Sequence, residues 1–139
     1  MSATAVLSDL IHAHGVDVLD HLDRDMTIPV LCGLQRQGDV IVIPDAKAVA
    51  TTRVPAPGAP VVRGENGGNT HAILAEGPGV LVDVRTPSPG NLRVATLTVA
   101  TGSVAWLAHP EHGYMGIGPG SYTINRQREQ SDVQRLVQD

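Results

Sequence analysis

The chain has 139 residues and a net charge of −4; it is 42% hydrophobic, with no Phe, one Trp and two Tyr. That length favours a single domain whose one core is built from Val, Leu, Ile and Ala. Five Asp against Arg24 alone acidify residues 1–25, while the other nine basic and nine acidic residues cancel; a neutral body without a basic stripe, poor in stacking aromatics, excludes nucleic acid as a partner.

Val6, Leu7, Leu10, Ile11 and His14 recur at helical spacing, with Gly15 placed to end a helix. Val18, Leu19 and Leu22 extend the pattern with a second helical turn, its aspartates on the other side. Residues 1–28 are therefore expected to form a short helical arm before a β domain at 29–139. The arm either packs on its own domain or docks on a neighbouring subunit or partner. Asp9 and His12 interrupt any signal-peptide core, and no apolar run reaches the roughly 18 residues of a membrane span. A cytoplasmic location without membrane contact is the expectation.

The only cysteine, Cys32, excludes an internal disulfide, and its place after Ile28-Pro29-Val30-Leu31 suggests a buried, inert thiol. Gln37-Gly38-Asp39 turns the chain into Val40-Ile41-Val42-Ile43, whose β-branched run suggests a strand covered on both faces. Residues 45–54 suit helix or strand, and the proline-rich 55–60 reads as an extended loop. Strands are expected at 61–63, 70–76, 80–85, 92–99, 103–108, 114–117 and 121–126, with another at 133–137. Gly64 to Asn69 is a glycine-rich turn lacking the Lys-Ser/Thr of a phosphate cradle. Fifteen Gly and ten Pro fit many tight turns. The fold expected is all-β: a small barrel or sandwich of seven to eight short strands, preceded by the helical arm.

His109-Pro110-Glu111-His112-Gly113 concentrates two imidazoles and a carboxylate at a hairpin turn. If strands 70–76 and 103–108 pair, His71 joins them, and His71, His109, Glu111 and His112 make a candidate ligand set for a divalent metal such as zinc. Asn69, two residues before His71, shares its face. The same residues also suit a plain polar turn or metal-free acid–base use. Tyr114, Tyr122, Arg126 and Arg128 are candidate binding residues, the arginine pair on one face of an exposed strand. No serine sits in a nucleophile elbow, so covalent catalysis has no support.

Two resemblances follow from these motifs. Asn69-Thr70-His71, Glu76 and Pro119-Gly120-Ser121-Tyr122 together resemble the cupin pattern. That resemblance implies a β-barrel holding a metal through histidines and a carboxylate, with Tyr122 or Thr123 standing where the last cupin histidine falls. Residues 37–44, 65–74 and 109–129 are similar to a group of small uncharacterised bacterial β-proteins with a His-x-Glu-His-Gly hairpin and a Gln-Arg-Glu ending. This kinship implies a fold and no activity. Two functions stay open: a non-enzymatic module that forms homo-oligomers or binds a protein partner, and a small cupin-like metal-dependent enzyme.

Overall fold

A computed structural model describes residues 4–63, 70–85 and 91–127. It contains β1 (Thr4–Val6), α1 (Leu7–His14), β2 (Thr27–Leu31), β3 (Gln35–Gln37), β4 (Val40–Pro44) and β5 (Ala59–Val62). Then come β6 (His71–Glu76), β7 (Val80–Val84), β8 (Arg93–Val99), β9 (Val104–His109), β10 (Gly113–Ile117) and β11 (Gly120–Arg126). The expected strand at 133–137 lies outside the described residues.

The strands form a six-stranded sheet in the order β1-β2-β10-β9-β6-β5 and a five-stranded sheet in the order β3-β4-β11-β8-β7. All pairings are antiparallel except β2 with β10. The all-β expectation holds, as a sandwich. The barrel alternative is corrected, because β1, β5, β3 and β7 remain sheet edges that do not close on one another. Eleven strands are described rather than seven or eight. The extra ones, β1, β2 and β3, are three to five residues long, and β2 carries Pro29, too short or too broken to show an alternating pattern.

Alternation along the strands builds the core. Val40, Val42, Val80, Val82, Ala95, Leu97, Val99, Tyr122 and Ile124 point from the five-stranded sheet towards Ile73, Ala105, Leu107 and Ile117 of the other. The second face of the six-stranded sheet presents Leu74, Trp106, Ala108 and Tyr114. The N-terminal segment covers it with Leu7, Leu10, Val18 and Ile28. Most of the apolar stripe read from the arm thus packs on its own domain, with Leu19 left exposed.

Two local expectations are corrected. Gly15, at φ 79, ends α1 by donating its N–H to the Ile11 carbonyl, and no second helical turn follows. Instead, Asp17 accepts the Val18 N–H, Arg24 donates to the Val18 carbonyl, and Leu19 N–H donates to the carbonyl of Pro110. Cys32 is exposed, because the apolar run of β2 stops at Leu31, itself outside the core. Residues 45–54 are neither helix nor named strand; residues 52–54 hydrogen-bond beside β7 at Val80 and Val82. No helix among the described residues is long and apolar enough to cross a membrane.

Candidate metal centre

The pairing that decides the site is β6 with β9, in a register that sets Ala72 opposite Ala108 and Ile73 opposite Leu107. One step further along this ladder brings His71 beside His109, and the two ring centroids are 4.2 Å apart. The β9–β10 hairpin adds His112. Pro110, with its fixed φ, opens the turn, and Gly113, at φ 87, supplies the backbone conformation that returns the chain to pair with His109. The His112 ring lies 4.6 Å from His109 and 5.9 Å from His71, nearly parallel to the latter.

One donor atom from each of these three histidines lies within 4.8 Å of the others. A tetrahedral zinc with bonds of about 2.0–2.1 Å holds its ligands about 3.4 Å apart, so closure needs at most about 1.4 Å of relative movement. The expected convergence of His71, His109 and His112 is found. Glu111 is exposed and stands outside the cluster.

The opposite sheet supplies the wall. The β3–β4 turn crosses this end of the sandwich, and a Cβ on Gly38 would sit 2.7 Å from His112 Nε2. Gly38 is also at φ 59, so the turn needs glycine for its backbone and for the ring that rests on it. Gln37 is buried; its side-chain amide donates to the carbonyls of Leu107, at 3.1 Å, and Gly113, at 3.2 Å. Asp39 pairs with Arg126 at 3.3 Å. Sequence reasoning took Gln37-Gly38-Asp39 only as a strand opening. A polar residue that ends a short strand carries no signal of burial until the opposing sheet is known.

His71 and His109 are only 4% and 5% exposed. Burial first, then the neighbouring His109 ring, pushes His71 down to about 4, against an opposing pull from the Asp39 carboxylate. Burial and then His112 lower His109 too, with Glu111 and Asp39 opposing. Both rings are therefore neutral at pH 7 and keep a lone pair for an ion. His71 Nε2 is buried without a hydrogen-bond partner, while the nearby Gln37 backbone pulls the pKa of the ring upward against burial. A buried imidazole nitrogen left bare is open to an ion.

His109 is held differently. Its Nδ1 accepts the backbone N–H groups of Glu111, at 3.1 Å, and His112, at 3.2 Å. The neutral ring consequently carries its proton on Nε2. Binding an ion through either nitrogen ends these two bonds, since the Nδ1 lone pair is then shared or protonated. The loss is about 1 kcal/mol per bond, and water can satisfy both N–H groups in this exposed turn. Zinc binding at structural protein sites releases on the order of 10 kcal/mol, a scale against which two such bonds are a small loss.

The other candidate binding residues fall elsewhere. Tyr114 and Tyr122 are core side chains, donating to the carbonyls of Val16 at 2.8 Å and Gly118 at 2.7 Å. Arg126 is half-buried on Asp39. Asn69 and Arg128 lie outside the described residues.

Residues 36–127 match a sequence family described as a domain of unknown function, DUF8820. The chain belongs to this family. The matched region contains Gln37, Gly38 and all three clustered histidines, and it leaves α1 and β2 outside. Comparison with curated proteins and with solved structures finds no match.

Proposed function

We propose that this chain binds one divalent transition-metal ion, zinc or a similar borderline cation, through His71, His109 and His112. The observation that carries the reading is the convergence of three imidazoles from β6, β9 and the 109–113 turn, one of them, His71, with a buried and unpartnered Nε2. Neutral imidazoles select such cations over magnesium or calcium, which prefer oxygen. Three protein nitrogens leave a fourth position, where a bound water would have its pKa lowered towards neutrality. That is the chemistry of a metal-dependent hydrolytic or hydration enzyme. Asp39 and Glu111 are the carboxylates that reach the histidines electrostatically.

Elemental analysis of protein purified without chelator or added metal tests the reading. About one equivalent is expected in the wild type, and essentially none in the double variant His109→Ala with His112→Ala. Substoichiometric metal in the wild type, unrestored by zinc titration, would end it.

A second reading, a module that self-associates or binds a protein partner, draws on Leu31 and Leu34, 48% and 69% exposed around the β2–β3 connection. A particle mass by light scattering that rises with concentration, and reverts to one chain with Leu34→Ser, would support it.

A further inference from the structure

We infer that Gln37 is a fourth member of the metal centre, its carboxamide oxygen serving the ion's remaining position directly or through one water. This deepens the proposed metal-binding function and rests on it.

Four buried side-chain polar atoms lack a partner among the described residues: His14 Nε2, Asn125 Oδ1, His71 Nε2 and Gln37 Oε1. The last two belong to this one site. An unpaired buried acceptor is costly, so two of them at one end of the sandwich, beside two further imidazoles, call for a species that satisfies both. The orientation of the amide follows from its partners. Leu107 and Gly113 present carbonyls, which can only accept, so the nitrogen faces them and the oxygen is left over.

The surroundings of Gln37 set it at the same end of the sandwich as the three histidines. Its amide bonds a carbonyl two residues before His109 and another one residue after His112. Its own backbone acts on the His71 ring, and the next residue, Gly38, carries the His112 ring against its Cα. Gln37 therefore touches or adjoins the neighbourhood of each histidine while being only 6% exposed. A glutamine held there by two donated bonds is pre-set, with little side-chain freedom left to lose when an ion arrives.

A neutral amide oxygen suits this position. With three neutral imidazoles it leaves the ion's full positive charge on the centre, whereas a carboxylate would quench it. The half-buried Asp39–Arg126 pair lies nearby, and Asp39 is already engaged by the arginine. The centre so built favours a small anion, or a water held as hydroxide, in exchange with Gln37 or its bridging water.

Cobalt(II) is the probe, because its visible bands report the number and kind of ligands. The wild-type chain and Gln37→Met are loaded with cobalt and compared, with urea midpoints and far-UV circular dichroism as folding controls. The expected result is a changed band envelope and at least about tenfold weaker binding in Gln37→Met, the loss typical of a removed supporting group. Unchanged bands and affinity in a folded variant would overturn the role of Gln37 and leave the three-histidine reading intact. No cobalt binding by the wild type would overturn both. Should Gln37→Met not fold, ¹⁵N spectra of the wild type decide. The Gln37 side-chain amide pair should shift strongly on zinc addition, and an unmoved pair would refute the inference.

Discussion

The replacement Gly38→Ala exposes the site's dependence on the β3–β4 turn. Two costs arise. First, φ 59 is a left-handed conformation that a Cβ penalises by about 1–2 kcal/mol. Second, the new methyl would stand 2.7 Å from His112 Nε2, closer than real Cβ contacts, and 3.0 Å from its Cδ2, so the ring must move. Gly102, in the β8–β9 turn, separates the two. It has φ 88, but nothing lies within 4 Å of its Cβ position. Both variants should lose about 1–2 kcal/mol in urea unfolding of chelator-treated protein. Only Gly38→Ala should also lose zinc affinity, by at least about tenfold in competition with a chromophoric chelator, as for other disturbed outer-shell groups. Equal affinities in the wild type, Gly38→Ala and Gly102→Ala would refute the assignment of His112 as a ligand held against this turn.

Three other outcomes are expected. The ion-free protein should weaken in acid because of His71: the unfolded ring takes its proton near about 6.5, the folded one only at about 4. Stability is thus complete above the unfolded value, falls between 6.5 and 4 by at most about 3 kcal/mol for this group, and levels off below. Urea midpoints of wild type and His71→Asn that fall in parallel over this window would contradict it. Zinc should release the Glu111 and His112 amides from His109 Nδ1, raising their hydrogen exchange while neighbouring β9 and β10 amides hold theirs; unchanged exchange at both would show that His109 keeps its cap and does not ligate. Gly116→Ala should cost about 2 kcal/mol or more, because its Cβ would meet the Pro29 carbonyl at 2.6 Å and Trp106 at 2.9 Å. A thermal unfolding midpoint equal to the wild type would mean that β2 and β10 can move apart freely.

Much of the fold is written in local pattern. Turn residues and apolar runs located the strands from β6 to β11 to within one residue or so, although β6, β9 and β10 are covered on both faces and show little alternation. The arm was less legible. Val18 and Leu22 keep a helical spacing, but they are buried by a chain tied down through Leu19 to Pro110, a contact about ninety residues away in sequence. Cys32 misled because an apolar run does not say where its strand leaves the core.

The site was legible as far as the hairpin and its suggested meeting with His71. Hairpin chemistry is local, and one pairing of β6 with β9 sufficed to complete the cluster. Glu111 looked like a ligand from its spacing, yet the turn directs it to solvent. Gln37 and Gly38 were missed because they arrive from the other sheet. Their role exists only once the sandwich closes over this end of the six-stranded sheet.

X-ray absorption at the zinc edge of the loaded protein reads the ligand set itself. Nitrogen and oxygen neighbours are expected at about 2.0–2.1 Å, with outer-shell scattering from three imidazoles that drops to two in His112→Ala. A sulfur shell at about 2.3 Å, which would implicate the exposed Cys32, or a first shell without imidazole scattering would contradict it.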